Sequence, residues 1–501
     1  MSQPPRISRA YGMYALGLLT VINVVNYLER NVIFALFEPI KRDLGLSDAH
    51  LGWLGSAYVL VFSIAALPVG VLSDLKSRTT MTAFGVAVWS AFTSLGGLVR
   101  NFVQLLVCRA AVGLGGAAAN AAGTALVADY FTGSMRALAM SIFTAGLALG
   151  GVLGILVAGQ LEALYGWRVA FMALGLPGFG LAVMVARLRD PLHWGSFQPL
   201  RDQLRSLGVG ASELVQRSLP LLLGLVLGTV AAWWADRQYG ADSAVDAAVF
   251  SIVAGLGLAW NIFLWVRRAR RAEAAETARM ATDVRNALDE LIAGFYTVVR
   301  TPTLVWVFVG GAMISFGMNG IIGWAPAFMT RELGLTVARA SLLLGKWGLI
   351  FGIAGTLTGG FLADWLQRRY PWARVVVSSL GFLLGGPLAI WLLTIRDLSL
   401  FIPVFCAAFF FLTWYNGPLT SVIFDVTPQR ISTTIAGAYL LFIHLAGDAI
   451  ALPLVGFLSD QFGIGRAVLI LPVMALLGAI VALGAVRTVR ADMARVASAP
   501  A

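Results

Sequence analysis

The sequence predicts an all-α protein that crosses a membrane many times, and two observations support this class. First, 59% of the 501 residues are hydrophobic and only 12% are charged, whereas soluble domains carry about 25% charged residues. Second, apolar stretches of about 20 residues, the length that crosses a hydrocarbon core of about 30 Å, recur along almost the whole chain. The first stretch, from about residue 11 to residue 37, is too long for a cleavable signal segment and is expected to remain as a helix.

The apolar stretches fall into two groups of six, with two further stretches between the groups. We therefore expect fourteen transmembrane helices, of which twelve form two six-helix bundles and two form an inserted hairpin. The expected bounds are 1–190 for the N-terminal bundle, 191–301 for the insertion, 302–490 for the C-terminal bundle and 491–501 for a cytoplasmic tail. The spans are predicted to start near residues 11, 51, 80, 103, 137 and 168, near 218 and 246 in the hairpin, and near 303, 340, 373, 400, 432 and 466.

The insertion is also predicted to contain an amphipathic helix after its hairpin. Apolar residues recur there at helical spacing, while acidic and basic residues lie off that stripe. Such a helix lies at the cytoplasmic membrane surface or against the inner ends of the bundles. Its apolar positions are Met280, Val284, Leu288, Leu291 and Phe295.

The net charge of +11 is explained by membrane orientation rather than by nucleic-acid binding. When the loops are assigned alternately to the two sides, most of the 36 Lys and Arg residues fall on the side that holds both termini. This asymmetry follows the positive-inside rule and predicts cytoplasmic termini. Because nearly all of these basic residues are arginine, we expect a bacterial protein of the inner (plasma) membrane.

The composition gives no indication of a cofactor or of catalysis. Cys108 and Cys406 lie far apart in apolar segments, so neither a disulfide framework nor a metal cluster is expected. The sequence shows no Walker loop and no convincing nucleophile–base set. We therefore expect a protein that is not an enzyme and whose partners are membrane lipids, protons and a small-molecule or lipid substrate, with a monomer as the functional form.

The most unusual feature is a charged pair, Glu29-Arg30, inside the first apolar stretch. An ionised side chain at the centre of a transmembrane helix costs roughly 2.5–3.5 kcal/mol on insertion scales. One interpretation is a pair at a helix end whose side chains reach the lipid headgroups. The other is a pair that faces a water-filled cavity and binds protons or an anion. Apolar residues continue from Val32 to Phe37, which favours the second interpretation.

The two halves of the sequence repeat one another. Gly70–Asp74, followed by Arg78, corresponds to Gly360–Asp364, followed by Arg368. A second correspondence links Asp129 and Arg136 with Asp425 and Arg430, which predicts a cytoplasmic gate of charged residues in each half. Repeated six-helix halves are typical of secondary transporters. The alternative is a set of solvated loop charges, each pair contributing about 0–1 kcal/mol.

The segment from Gly70 to Arg78 resembles the signature loop of the major facilitator superfamily. Arg109, followed by Gly113 and Gly115, resembles the fourth-helix motif of that superfamily. The resemblance covers nearly all of the chain except 191–301. It implies the major facilitator fold and alternating access, with the gate residues holding the halves together while the outside is open.

Within the superfamily, the chain is most similar to the spinster family of lipid and lysolipid transporters. The motifs concerned are Asn26–Arg30, Val127–Phe131, His444–Ala449 and Gly456–Asp460. The resemblance implies sphingolipid or lysophospholipid substrates and proton coupling. The chain departs from the family pattern at Gly116, where the family has a glutamate, and this difference leaves open how coupling is achieved.

The candidate site residues follow from these motifs. His444 and Asp448 are four residues apart, so they share a helix face and could exchange protons together with Glu29. The alternative is that Asp448 caps a broken turn and His444 is an ordinary interior histidine. Arg30 and Arg109 are expected to hold an anionic head group. The remaining expected cavity residues, for which packing is the alternative role, are Asn319, Trp324, Trp414, Tyr415 and Asn416.

The sequence therefore predicts a proton-coupled secondary transporter of an amphipathic, anionic, lipid-like molecule or another organic anion. A proton-coupled transporter of small organic anions such as sugar acids is the first alternative. A membrane sensor that keeps the fold without transporting is the second, and Gly116 is its main support.

Overall fold

The computed structural model describes residues 8–190 except 76 and 132–133, single helical positions between 220 and 264, and residues 297–498. Regular secondary structure in these residues is helical throughout, which confirms the predicted all-α class. The helices before residue 190 are α1 (Arg9–Ala35), α2 (Phe37–Leu44), α3 (Asp48–Leu75), α4 (Arg78–Gly96), α5 (Phe102–Tyr130), α6 (Ser134–Tyr165) and α7 (Trp167–Ala186).

The helices from residue 302 onward include several that are interrupted by short turns of other helix types. A 3-10 turn at Thr413–Tyr415 follows α11, and a π turn at His444–Asp448 joins α13 to α14. Turns of these types inside long helices often mark functional positions. The helices are α8 (Pro302–Glu332), α9 (Val337–Gln367), α10 (Ala373–Leu392), α11 (Leu398–Leu412), α12 (Pro418–Asp425), α13 (Gln429–Ile443), α14 (Ala449–Phe462), α15 (Ile464–Ala467), α16 (Ile470–Ala482) and α17 (Val489–Ser498).

Eleven helical segments in the described residues are long and apolar enough to cross a membrane. They coincide with eleven of the twelve predicted core spans, and α4 lies at the position of the remaining one. The α4 helix is less apolar because it carries a series of hydroxyl side chains. These are Thr79, Thr80, Thr82, Ser90, Thr93 and Ser94.

The predicted hairpin is described only at scattered positions. Those positions are helical, and Gly224 packs directly against Gly257, which agrees with two adjacent helices. The rest of 191–301, including most of the predicted amphipathic helix, lies outside the described residues. The count of fourteen helices and the predicted bounds near 190 and 302 therefore stay predictions.

The contacts divide the chain into two compact units. Unit 1 comprises Met1–Arg30, Ile64–Gly150 and Phe171–Ala287, and unit 2 comprises Asn31–Ser63, Gly151–Ala170 and Leu288–Ala501. In unit 1, α4 and α5 pack backbone to backbone at Gly85 and Gly115. A Cβ atom on Gly115 would lie 2.6 Å from the carbonyl oxygen of Gly85, so a larger residue would push the two helices apart.

Unit 2 contains residues from both halves of the sequence. It gathers α2, the first part of α3 and the joint between α6 and α7 with all of the helices from α8 onward. Several contacts within this unit therefore link segments that lie hundreds of residues apart. One example is the indole N–H of Trp324, which donates to the carbonyl oxygen of Leu452, while the Trp324 ring packs 5.2 Å from the ring of Phe37.

Candidate functional site

Glu29 lies inside unit 1 and is completely buried. Its carboxyl group points toward α4 and α5, where the side chains of Thr93, Trp89 and Arg109 are its neighbours. Neither carboxyl oxygen makes a hydrogen bond of acceptable geometry with a described residue. A buried carboxyl group in this situation is costly unless it is protonated or solvated. The position of Glu29 therefore suits a group that gains and loses a proton.

Arg109 and Arg30 occupy different environments, although both were expected to bind an anion. Arg109 is 1% exposed and donates to the backbone carbonyl oxygens of Glu29 at 3.1 Å and of Arg30 at 2.7 Å. It therefore fixes the backbone of α1 near the end of that helix, where a cation is favourable. Arg30 is half-buried, and its guanidinium group lies 5.6 Å from the centre of the Tyr27 ring.

Asp448 is the second buried acid, and it lies in unit 2 with 1% of its surface exposed. Its carboxylate accepts hydrogen bonds from Ser315 at 2.5 Å and from Asn319 at 2.8 Å, both on α8. The Nδ1 atom of His444 lies 2.6 Å from the other carboxylate oxygen. The structure thus brings together Asp448, His444 and Asn319 and adds Ser315, which the sequence analysis missed.

The π turn determines this geometry because His444 and Asp448 are its first and last residues. Gly447, inside the turn, packs against the backbone of α8, and a Cβ atom there would lie 3.0 Å from the backbone nitrogen of Phe316. This close approach is what allows Ser315 and Asn319 to reach Asp448.

The other expected cavity residues of unit 2 are scattered. Trp324 is fully buried against Phe37 and Leu452. Trp414 is 7% exposed and packs in a small core with Ala363 and Val377. Tyr415 packs 5.2 Å from the ring of Phe382, and exposed Asn416 donates to the hydroxyl of Thr356 at 3.2 Å.

The predicted gate residues form one ion pair in unit 1. Arg78, the first residue of α4, binds the carboxylate of Asp129 near the end of α5. The backbone N–H of Arg78 also donates to Asp190 at 2.9 Å. Arg136 is exposed on α6, and the side chain of Asp74 lies outside the described atoms.

The corresponding pair in unit 2 involves an arginine that the sequence analysis did not select. Arg374 binds Asp425 at 2.5 Å and Asp364 at 2.9 Å, whereas Arg368 is exposed at the end of α9. The side chain of Arg430 lies outside the described atoms. Arg374 and Asp425 are 51 residues apart, as are Arg78 and Asp129, and this equal spacing is the signal that could have identified Arg374.

A larger ionic cluster lies at the predicted outer end of unit 2, and we call it the outer network. Its centre is Arg331, which lies in the last turn of α8 and binds Asp48 at 2.6 and 2.8 Å and Glu38 at 2.5 Å. Lys41 approaches Asp48 to 2.5 Å, and Ser459 donates to it at 2.5 Å. Asp48 and Glu38 are buried, so their charges depend on these partners.

Asp460 completes the outer network by capping a helix from the other half of the sequence. Its two carboxylate oxygens accept the backbone N–H groups of Asp48 at 2.8 Å and Ala49 at 2.9 Å. A carboxylate at a helix N-terminus accepts hydrogen bonds from the free backbone N–H groups and interacts favourably with the positive end of the helix dipole. Asp460 ends the segment Gly456–Asp460, a third copy of the pattern seen at Gly70–Asp74 and Gly360–Asp364.

Unit 2 also contains a cavity whose lining is entirely apolar among the described residues. Side chains of α8, α9, α10 and α11 and of the segment around Val468 surround it. The largest of them are Trp324, Phe328, Phe401, Phe405 and Phe409. Such a cavity favours hydrocarbon over water.

Helices that cross the membrane repeatedly, two sequence-related halves and acids buried within each half define a polytopic membrane transporter. The sequence profile of the Major Facilitator Superfamily matches residues 19–235 and 218–447, and the chain belongs to this superfamily. It is therefore an integral multi-pass membrane protein of a family whose members carry small molecules.

Similar proteins span most of the chain. An MFS-type efflux pump of Mycolicibacterium smegmatis is 25% identical, over 93% of this chain and 90% of that protein. A probable L-galactonate transporter of Escherichia coli is 23% identical, over 87% of this chain and 74% of that protein. The sphingosine-1-phosphate transporter SPNS2 of Xenopus tropicalis is 22% identical, over 89% of this chain and 73% of that protein.

A solved structure shows the same fold. The crystal structure of a bacterial homolog of the human lysosomal transporter spinster, in an inward-facing and unoccupied conformation, superposes with a TM-score of 0.72. It is 20% identical and covers 97% of this chain and 99% of that chain. The major facilitator fold and the resemblance to the spinster family are thereby confirmed.

Proposed function

We propose that this protein is a proton-coupled transporter of an amphipathic organic anion that works by alternating access in a bacterial inner membrane. The observation that carries the proposal is the buried pair of Asp448 and His444. Asp448 is 1% exposed and has three hydrogen-bond partners, whereas 22% of the His444 side chain is exposed. A buried carboxylate beside a partly accessible imidazole forms a site that can bind and release a proton.

The geometry divides the work between the two residues. Ser315 and Asn319 donate to the carboxylate of Asp448 and hold it in place. In the neutral tautomer that carries its proton on Nδ1, His444 donates a hydrogen bond to Asp448, and its Nε2 atom can accept a second proton. In this proposal Glu29 provides the second proton-binding group, in unit 1.

The substrate class is supported by one feature in each unit. Arg30 is half-buried and provides a guanidinium group that can bind a carboxylate or phosphate in a bidentate manner. The apolar cavity of unit 2 supports binding of a hydrocarbon portion. Taken separately, the first feature matches the chemistry of an anionic head and the second that of an apolar tail, and the name of the Xenopus relative states a lipid substrate.

Alternating access is supported by the outer network. It joins α2 and α3 to α8 and α14 within unit 2, so it links segments of both sequence halves. These bonds must break if that end of the protein is to open. In this proposal the network stabilises the state that is closed at the predicted outer end, with both termini in the cytoplasm.

The proposal is tested by reconstitution into proteoliposomes with an imposed pH difference and a mixture of lysolipids and organic acids. We expect gradient-driven flux of an anionic amphiphile that Asp448→Asn and Glu29→Gln abolish, while exchange of substrate without a gradient persists. Asp397→Asn, at an exposed helix cap, is the matched control and should transport normally. Gradient-driven flux that survives in both variants would reject proton coupling, and flux equal to the leak of empty vesicles would favour a sensor.

A small organic anion is the second candidate substrate, because a relative with 23% identity is named a probable L-galactonate transporter. The same assay separates the two classes. Competition by a hexuronate, with no competition by a lysolipid at matched concentration, would favour the sugar acid.

A further inference from the structure

Glu29 is isolated from bulk water, yet a proton-binding group needs a route for its proton. It is fully buried, and the described side chains beside its carboxyl group are Thr93, Trp89 and Arg109. Arg109 is committed to two backbone carbonyl groups of α1. The proton therefore has to arrive through the interior of unit 1.

The α4 helix presents two polar side chains, Trp89 and Thr93, toward the carboxyl group of Glu29. The indole N–H of Trp89 and the hydroxyl of Thr93 are both buried and both lack a hydrogen bond of acceptable geometry. They are four residues apart, so they lie on the same helix face. Buried polar groups in native proteins are almost always hydrogen-bonded to protein or to ordered water. Two such groups beside an equally unpaired carboxyl group indicate a site for water.

A small cavity lies one helical turn from Glu29 and provides that space. Trp89 lines it, together with Asn23 and Asn26 on α1 and Asn120 on α5. It has room for about one ordered water molecule, and Asn26 and Asn120 bring amide groups to its wall. Asn120 is half-buried, so it connects the cavity to the less buried face of α5.

We propose that this cavity is a water-binding site through which Glu29 exchanges protons, with Asn120 at its entrance, Trp89 in its wall, and Thr93 one turn further along α4 beside the carboxyl group. A proton passes from the bound water to the Thr93 hydroxyl or directly to the carboxylate. There it forms an O–H bond and leaves Glu29 neutral, and the reverse path releases it. Trp89 orients the water through its N–H group. Among the described residues, Arg109 from α5 is the charged group that acts on Glu29, and Arg30 follows Glu29 on its own helix.

The inference rests on the proposed function in that it takes Glu29 as a proton-binding residue. Its test therefore measures protonation directly and needs no substrate. Purified protein in lipid nanodiscs is subjected to a rapid drop in pH, and stopped-flow infrared spectroscopy follows the carbonyl band of the protonated carboxyl group. The band of Glu29 is identified as the one that Glu29→Gln removes.

We expect Thr93→Val and Trp89→Phe to slow the appearance of this band by about tenfold or more, because each removes a polar group. The matched controls are Thr20→Val and Trp414→Phe, which remove equally buried and unpaired polar atoms elsewhere, and these should match the wild-type rate. Wild-type rates in both Thr93→Val and Trp89→Phe would overturn the route, as would equal slowing in the controls. Slowed protonation with unimpaired gradient-driven transport in these two variants would instead reject the proposed function and leave the route supported.

Discussion

Arg331 holds Asp48 through two parallel hydrogen bonds of 2.6 and 2.8 Å, although the two residues are 283 positions apart in the sequence. Bidentate pairing of this kind is strong and directional. Asp48 is also the first residue of α3, whose backbone N–H groups are capped by Asp460. One arginine and one aspartate from the second half of the sequence therefore fix the start of a helix from the first half.

Replacing Arg331 by Met should open the predicted outer end. The change leaves Asp48 and Glu38 without their main cation, and loss of one partner from a buried ion pair costs up to about 3–5 kcal/mol. We expect faster labelling of a cysteine placed at buried Ser56 by a membrane-impermeant maleimide, in a background that lacks Cys108 and Cys406. Arg339→Met, which removes an exposed arginine near the start of α9, should leave labelling unchanged. Equal labelling of both variants would argue against the outer network as a closure.

His444→Gln should flatten the pH dependence of transport. Glutamine can still donate a hydrogen bond to Asp448 but does not change charge between pH 5 and 8, the range in which histidine ordinarily titrates. Transport rates measured from pH 5 to pH 8 in proteoliposomes provide the test. His50→Gln, which alters a histidine bonded to Ser47 in the loop before α3, should keep the wild-type profile. An unchanged profile in His444→Gln would remove this residue from the coupling mechanism.

Gly447→Ala should destabilise the protein and disturb the acid site. The added methyl group would press on the backbone of α8, and overpacking of this kind typically costs about 1–3 kcal/mol. The thermal unfolding temperature Tm in detergent is the measurement, together with gradient-driven flux. Gly437→Ala is the matched control because its added methyl group would meet nothing within 4 Å. If both variants unfold at the same temperature, the tight fit at Gly447 is not required.

Arg374→Met should lower Tm by several degrees, whereas Arg368→Met should not. Arg374 is the partner of both Asp425 and Asp364, and the Asp425 side chain is only 19% exposed. Arg368 is exposed, and substitutions at such positions usually change stability by less than about 0.5 kcal/mol. A larger loss of stability in Arg368→Met would show that the pairing inferred from the correspondence of Arg78 with Arg368 is the important one.

The transmembrane helices could be predicted from the sequence because length and apolarity determine them locally. The positions of Glu29 and Asp448 inside such helices could also be predicted, but the sequence favoured a water-filled cavity beside Glu29, whereas the structure buries its side chain completely. The choice of Arg374 over Arg368 was not, because it depends on where the chain turns between α9 and α10. That turn places Arg374, rather than the arginine nearer to the repeated motif, beside Asp425.

The outer network and the π turn could not be predicted for different reasons. Arg331, Asp48 and Asp460 meet only through tertiary packing, and no local pattern relates residues so distant in sequence. The third copy of the glycine–aspartate pattern was visible at Gly456–Asp460, but its partner was not. A π turn differs from an α-helix by one residue of hydrogen-bond register, and the sequence His444–Asp448 carries no signal for that difference.

The polar character of α4 has a consequence for how the protein is made. A segment so rich in hydroxyl side chains partitions weakly into lipid during synthesis, so it gains little from entering the bilayer alone. Because its backbone packs closely against that of α5 at Gly85 and Gly115, we expect the two segments to leave the translocon together as a pair. In a nascent chain that is released before α5 has emerged, α4 would then remain in water instead of entering the bilayer.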